Sequence, residues 1–275
     1  NNQATSNWNL GRDYDPRSSA AAQGVWDLGV MDITSADVFT AVNGLKSFDQ
    51  DGTGARQVSS NGELITMYAA GEAYSDWGRV SFLPNTSSSY SDGTATYRPG
   101  EVSFTPGSTY PAVAEFTAPV AGVYGVDARF WKTRPETSTT FKLFKVATGG
   151  AISELDDGGA VGGSGPADAS RSALEQVQLE AGEKLLFAVH KGAGATSNDE
   201  TSASLHVDLL ANAVESGGRN FYYNLATGHY LGLSTAAANW SNAGTEASLL
   251  SIDGASGYLA APSDAITERI GKALI

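Results

Sequence analysis

Residues 110–131 read YPAVAEFTAPVAGVYGVDARFW, and two runs of alternating side chains within this stretch decide the fold. Apolar side chains recur at every second position in 112–118 and again in 123–130, a period of two that is typical of pleated strands. Pro119 fixes φ and Gly122 permits positive φ, so the two residues mark a turn. The stretch therefore predicts a β-hairpin at the centre of the core. The apolar set of the first run is Ala112, Ala114, Phe116 and Ala118, and that of the second is Tyr124, Val126, Ala128 and Phe130.

The same alternation recurs along residues 1–213. Charged residues are only 17% of the chain and Gly accounts for 32 positions, a composition that suits short strands linked by turns. With the central hairpin there are about eleven predicted strands at the spacing of a sandwich or barrel. We therefore predict a mainly β fold, an antiparallel, jelly-roll-like β-sandwich, with an irregular arm over 1–22 and a Gly-rich loop over 156–170. The other predicted strands are 24–30, 38–48, 63–70, 77–83, 101–105, 139–147, 173–179, 184–190 and 202–210.

The chain changes character near its end. Residues 214–218 contain Glu-Ser-Gly-Gly and are interpreted as a linker, and 219–275 as a small α+β segment with a short hairpin and two helices. Ser263 is a candidate cap of the second helix. Both helices carry an apolar stripe, and exposed stripes of this kind mark interfaces. We expect the segment to dock on the sandwich, to pack on another chain, or to come from a longer precursor. The candidate interface residues are Trp240, Leu250, Ile266, Ile270 and Leu274.

Charge and composition exclude several classes of function. The formal net charge of −13 repels nucleic-acid phosphates and anionic membrane surfaces. The absence of cysteine excludes disulfides, thiol catalysis and Cys-based zinc sites. No apolar run has the length of a membrane span, and the start Asn1-Asn2-Gln3 is compatible with a processed export product. We expect a secreted protein, extracellular or on the cell surface.

Residues 219–275 resemble the first half of a C-type lectin-like domain. The similar residues are the hairpin Gly228 to Leu233, Asn239-Trp240 at the start of a helix, and Gly257-Tyr258-Leu259-Ala260-Ala261 before the second helix. The family's calcium and sugar ligands lie in its later half, so the resemblance implies no sugar-binding residue here.

Residues 1–213 resemble secreted bacterial β-sandwich ectodomains of the kind associated with PEP-CTERM sorting tails. The similar pieces are Gly24-Val25-Trp26, Thr117-Ala118-Pro119, Val177 to Glu183, and Asn198 to Thr201. The resemblance implies a secreted jelly-roll-like module and no particular reaction.

Aromatic residues are the main candidates for ligand binding. Exposed rings offer platforms for sugar faces, and we select Trp77, beside Asp76 and Gly78, together with Tyr90 and Tyr97. Trp26 and Trp131 are interpreted as core residues.

Two acidic loops are candidate calcium sites. Asp49 and Asp51 flank a turn but lack the remaining ligands of an EF-hand, and Asp199 with Glu200 offers a second pair of carboxylates. Asp156 with Asp157 is a further alternative. The cofactor expectation is a structural calcium ion and nothing else.

No motif predicts catalysis. The three His residues lack metal-ligand spacing, with His190 and His206 expected on solvent faces, and Gly162 to Gly165 lacks the nucleophile-elbow pattern. We predict no catalytic residue and favour an extracellular, non-catalytic carbohydrate-binding or adhesion protein. A structural subunit of a surface layer, filament or appendage is the alternative, and a polysaccharide-degrading enzyme a further one. The expected partners are a polysaccharide or glycan, copies of the chain, or another surface protein.

Overall fold

The computed structural model describes much of the chain, including the whole central stretch. The described residues are 7–14, 24–33, 41–47, 56–58, 64–68, 78–83, 89–91, 93, 95–107, 110–134, 139–191, 199–216, 218–233, 239–252, 255–259 and 264–274. Within these ranges every paired strand is antiparallel, and two sheets face each other across one main core. The predicted fold class, a mainly β antiparallel sandwich, is confirmed.

The larger sheet, sheet A, has ten strands among the described residues. Its main path runs β14-β11-β16-β9-β6-β5-β4, and β1 and β17 also pair with β16, while β18 pairs with β17. The strands are β1 (Asn7–Asn9), β4 (Arg56–Val58), β5 (Ile65–Tyr68), β6 (Arg79–Phe82), β9 (Val102–Thr105), β11 (Gly122–Lys132), β14 (Ser170–Leu179), β16 (Thr201–Ser216), β17 (Arg219–Asn224) and β18 (Tyr230–Leu231).

In the part of the chain that the structure describes, the second sheet, sheet B, has six strands in the order β13-β12-β15-β10-β2-β3. They are β2 (Trp26–Ile33), β3 (Ala41–Ser47), β10 (Ala112–Thr117), β12 (Thr139–Val146), β13 (Ile152–Ala160) and β15 (Lys184–Lys191). The remaining elements are two small hairpins, β7 (Tyr90–Ser91) with β8 (Thr96–Tyr97) and β19 (Ser251–Ile252) with β20 (Ala255–Ser256), and the helices α1 (Leu10–Asp13), a 3-10 turn (Pro166–Asp168), α2 (Trp240–Leu249) and α3 (Ala265–Ala273).

The central stretch forms both predicted strands but not the predicted hairpin. β10 belongs to sheet B and β11 to sheet A, so residues 118–121 carry the chain across the sandwich. The Tyr124 hydroxyl donates to the Val120 carbonyl at 2.6 Å and holds this corner, and burial raises the pKa of Tyr124 to about 12. The hairpin prediction is wrong because alternation identifies strands but not the sheet that each strand joins.

The predicted apolar faces of the two strands are confirmed, since both lie in the main core. Phe116 of β10 and Tyr124 of β11 meet there with ring centroids 5.9 Å apart. Trp8 of β1 contacts both rings, so part of the predicted N-terminal arm is a core strand. Trp26 is 1% exposed in the same core, as predicted, and Trp131 is also buried.

β13 replaces part of the loop predicted over 156–170. It is an edge strand of sheet B, and none of its side chains is buried. Because both faces are accessible, its sequence shows no apolar alternation, and the Gly-rich acidic run was indistinguishable from a loop.

The predicted linker, 214–218, belongs largely to strand β16. Val214 pairs with Phe221 and Ser216 with Arg219, so the chain turns directly into β17. The polar, Gly-containing composition marks a tight turn inside sheet A rather than a flexible connection. The C-terminal segment therefore begins as an extension of the sandwich sheet.

Helix α3 docks on the face of sheet A that points away from the main core. Asp264, rather than the predicted Ser263, caps the helix by accepting from the Thr267 amide at 2.8 Å. Ile270 is fully buried against Val123, Leu210, Ala211 and Tyr222, while Ile266 and Leu274 pack at the margin. Docking on the sandwich is thus confirmed for α3.

Gly125 of β11 lies next to α3. A Cβ at Gly125 would lie 2.5 Å from the Arg269 guanidinium, the end of a flexible side chain, so a larger residue here would displace that guanidinium.

A buried polar network lies on the same outward-facing side of sheet A, beneath the β7–β8 hairpin. Glu200 is 1% exposed and accepts from Arg79 at 2.5 Å, Arg134 at 3.3 Å and the Tyr97 hydroxyl at 2.6 Å. Ser81, Ser103 and Ser202 form a row of buried hydroxyls nearby, with Thr133 bonded to the last two. The hairpin is therefore held by a satisfied carboxylate as well as by apolar packing.

We expect Ile270→Ala to destabilise the whole chain by about 2–5 kcal/mol, because it leaves a cavity between α3 and sheet A. Urea unfolding followed by circular dichroism measures the change. Ile266→Ala, at the margin of the same contact, is the matched control and should cost less. A separate early transition for the C-terminal segment, with an unchanged sandwich transition, would contradict the docking.

We expect Glu200→Gln to destabilise the chain by about 3–5 kcal/mol, because it removes the buried carboxylate that accepts from Arg79, Arg134 and Tyr97. Glu154→Gln is the control, since Glu154 is 41% exposed in its pair with Lys142 and should change stability by less than about 1 kcal/mol. Thermal unfolding of both variants tests this expectation, and equal effects would rule out the structural role of the Glu200 network.

Candidate functional site

A cavity of about 480 Å³ lies between the β17–β18 hairpin, helix α2 and the β19–β20 hairpin. Its walls are mostly apolar, with a few polar groups. The lining residues are Phe221, Gly228, His229, Tyr230, Leu231, Gly232, Leu233, Ala243, Glu246, Ala247, Leu250, Ser251, Ile252, Ser256, Gly257, Tyr258 and Leu259. We call this cavity the tail pocket.

Local sequence signals shape its walls. Asn224 ends β17 and accepts from the amides of Ala226 and Thr227, which turns the chain toward β18. Asn239 caps α2 by accepting from the Asn242 amide. Gly257 lies so close to the end of α2 that a Cβ would come within 2.3 Å of the Ala247 carbonyl oxygen. Only glycine therefore allows the segment after β20 to pack against the end of α2, where both elements line the pocket.

Two aromatic rings stand at the tail pocket with accessible surface. Tyr258 is 67% exposed and Tyr230 is 37% exposed, unlike the fully buried rings of the main core. The His229 and Tyr258 rings are perpendicular to each other with centroids 6.3 Å apart, and the Tyr223 ring lies 4.9 Å from the Tyr230 ring. Each ring therefore contacts a neighbouring aromatic side chain and still has solvent-exposed surface that a ligand can cover.

Polar groups complete the lining. Glu246 on α2 is paired with Arg219 of β17 at 3.1 Å, which ties the helix to the hairpin. His229, Ser251 and Ser256 add further donors and acceptors. The pocket thus combines apolar walls, ring faces and a few hydrogen-bonding groups, as ligand sites usually do.

The predicted interface residues of the two helices divide into two groups. Ile266, Ile270 and Leu274 contact sheet A, whereas Leu250 lines the tail pocket. Trp240 is 72% exposed at the first turn of α2. Leu249 and Leu233 are exposed as well, so the apolar surface of this segment is only partly covered.

The structure does not support Tyr97 as a sugar platform. Tyr97 is 4% exposed because its hydroxyl bonds Glu200 and its ring packs with Leu64, Leu83 and Ala95. Tyr90 is half-buried and stacks on Tyr97 at 6.0 Å. Trp77 lies outside the described residues.

The described part of the chain shows no site for the expected calcium ion. Within it, no group of three or more His, Asp or Glu side chains converges as a metal site. Glu200 serves two guanidinium groups and Tyr97 instead, and Asp199 is buried beside it. Asp156 accepts from Ser172 and Gly158, while Asp157 pairs with Lys142. Asp49 and Asp51 lie outside the described residues.

One histidine is buried where the sequence predicted a position on a solvent face. His190 is buried at 5% exposure on sheet B rather than on a solvent face, whereas His206 is half-buried. His229 lines the tail pocket. Among the described residues, no helix has the length and apolar character needed to cross a membrane.

Neither a protein-family model nor a curated protein matches the chain. Several solved structures are similar at low identity and low TM-score. The chain is similar to the K3 cleaved adhesin domain of Lys-gingipain from Porphyromonas gingivalis, with 13% identity over 42% of this chain and 86% of that one and a TM-score of 0.26. It is similar to a family 35 carbohydrate-binding module from Clostridium thermocellum, with 9% identity, 56% and 87% coverage and a TM-score of 0.26. It is also similar to an isomalto-dextranase of Arthrobacter globiformis, with 13% identity, 74% and 34% coverage and a TM-score of 0.30. With identities and TM-scores this low, these similarities show neither the fold nor the function of this chain.

Proposed function

We propose that the chain is an extracellular, non-catalytic carbohydrate-binding protein and that the tail pocket holds the sugar. The observation that carries the proposal is the pair of accessible rings, Tyr258 and Tyr230, at a cavity that also offers His229, Glu246 and two serines.

Sugars match this combination of surfaces. A sugar ring has an apolar face of C–H groups and an edge of hydroxyl groups, so it binds where an aromatic face and hydrogen-bonding groups lie together. The cavity volume falls within the range of about 300–1,000 Å³ that is usual for small-molecule sites. The expected export of the chain fits a glycan as the partner.

Trp240 lies outside the pocket lining, three residues before the lining residue Ala243 on α2, and provides an indirect spectroscopic probe of this binding. Of the tryptophans that the structure describes, Trp8, Trp26 and Trp131 are buried and Trp240 is 72% exposed at the start of α2. We expect a sugar in the pocket to change the Trp240 emission while the buried tryptophans contribute a constant background.

Titration with a panel of neutral oligosaccharides, followed by fluorescence and calorimetry, tests the proposal. Tyr258→Ala and Tyr230→Ala should each weaken binding about tenfold through loss of a ring contact. Leu225→Ser is the matched control, because Leu225 is 41% exposed in the same hairpin turn but does not line the pocket.

Two outcomes would contradict the proposal. One is binding that survives both tyrosine substitutions, and the other is a complete lack of binding across the panel. Release of new reducing ends from a polysaccharide would instead support the degrading enzyme.

The second candidate function is that of a structural subunit of a surface layer, filament or appendage. The exposed apolar side chains of Trp240 and Leu249 favour it. Leu249 is 80% exposed, and covering such an apolar side chain with a partner chain removes its surface from water, which is favourable. Sedimentation at increasing protein concentration should then show association that Leu249→Ser reduces. A monomer at every concentration would exclude this candidate and leave carbohydrate binding unaffected.

A further inference from the structure

An open polar area lies on the outward-facing side of sheet A, next to the part covered by α3. Strand β11 lies between β14 and β16 in this sheet. Arg129 of β11 is directly opposite Arg171 on β14 and opposite Ser204 on β16. Asp127 stands two residues away on β11, opposite His206. The side chains of Arg129 and Arg171 are 47% and 55% exposed.

Two like charges opposite each other on neighbouring strands are unfavourable for folding. Asp127 offsets part of this repulsion, since it accepts from Arg171 at 2.7 Å and from Arg129 at 3.0 Å. Partial burial acts to raise the pKa of Asp127, but hydrogen bonds from Arg171 and Arg129 outweigh it and lower that pKa. Asp127 is therefore ionised at neutral pH.

One carboxylate does not neutralise two guanidinium groups, so the trio keeps an excess positive charge. The net charge of −13 repels a polyanion at long range, so an acidic ligand would have to be held locally by these two guanidinium groups. The contacts with Asp127 also use only a minority of the N–H donors of the two arginines. A second anionic group is the partner that satisfies both the charge and the donors, because a guanidinium binds carboxylates and sulfates through paired hydrogen bonds.

We propose that Arg129 and Arg171 together bind one anionic group, a carboxylate or a sulfate, carried on an acidic polysaccharide. Ser204 and His206 flank the pair on β16 and can bond neighbouring sugar hydroxyls. This arginine pair forms a surface separate from the tail pocket, so the proposal goes beyond the function proposed above.

Calorimetry with an oligouronate, a sulfated oligosaccharide and a neutral oligosaccharide of equal length tests the proposal. The wild type should bind at least one acidic ligand more tightly than the neutral one, and less tightly as salt concentration rises. Arg129→Gln and Arg171→Gln should each weaken that binding about tenfold or more. The comparison of oligouronate with sulfated ligand decides which anion is preferred.

Arg98→Gln is the matched control, because Arg98 is 43% exposed and is also paired with a carboxylate, that of Glu101. It should leave acidic-ligand binding unchanged. Without ligand, Arg171→Gln should keep or raise the melting temperature, since it relieves the repulsion while Asp127 retains Arg129.

Five results would overturn the proposal. The first four are equal binding of acidic and neutral ligands, no binding of either acidic ligand, an effect of Arg98→Gln as large as that of Arg171→Gln, and a lowered melting temperature of Arg171→Gln with unchanged binding. Loss of acidic-ligand binding in Tyr258→Ala alone would also overturn it, while placing the ligand in the tail pocket.

Discussion

Strand β16 is the constraint on which the rest of the structure depends. It is 16 residues long, and β11 pairs with one edge over most of that length. Its other edge pairs in turn with β9, β1 and β17. One strand therefore joins the N-terminal strand, the sandwich and the C-terminal segment into a single sheet. Its hydrogen bonds position the hairpin that forms one wall of the tail pocket.

The C-terminal segment uses this sheet in two ways. Its first strand extends the sheet beside β16, and α3 covers the outward face above Gly125. The part of that face beyond α3 remains open and carries Arg129 and Asp127. The arginine pair thus lies on the part of sheet A that α3 leaves uncovered, whereas the tail pocket lies within the C-terminal segment itself.

The sequence predicted local features whose cause is local. The alternation in 112–118 and 123–130 identified the core faces, because side chains of a strand point alternately to opposite sides. The spacing of Ile266, Ile270 and Leu274 likewise identified the buried face of α3. The corner at 118–121 was assigned to a hairpin because the assignment of each strand to a sheet depends on distant pairing.

The site residues were harder to predict, because their positions also depend on contacts between residues that are distant in the sequence. Tyr97 looked like an exposed ring in the sequence, but Glu200, more than a hundred positions away, holds it inside. Tyr230 and Tyr258 stood within the predicted hairpin and link, yet nothing local showed that Gly257 brings them to one cavity. The cross-strand register of Arg129 and Arg171 also requires the strand pairing.

Hydrogen exchange of the intact protein, with and without a neutral oligosaccharide that it binds, tests the central claim most directly. Binding in the tail pocket predicts slower exchange in residues 228–233 and 255–259 and unchanged exchange in β7 and β8. Protection confined to the sandwich, with no change in those two segments, would contradict the assignment of the sugar to the tail pocket.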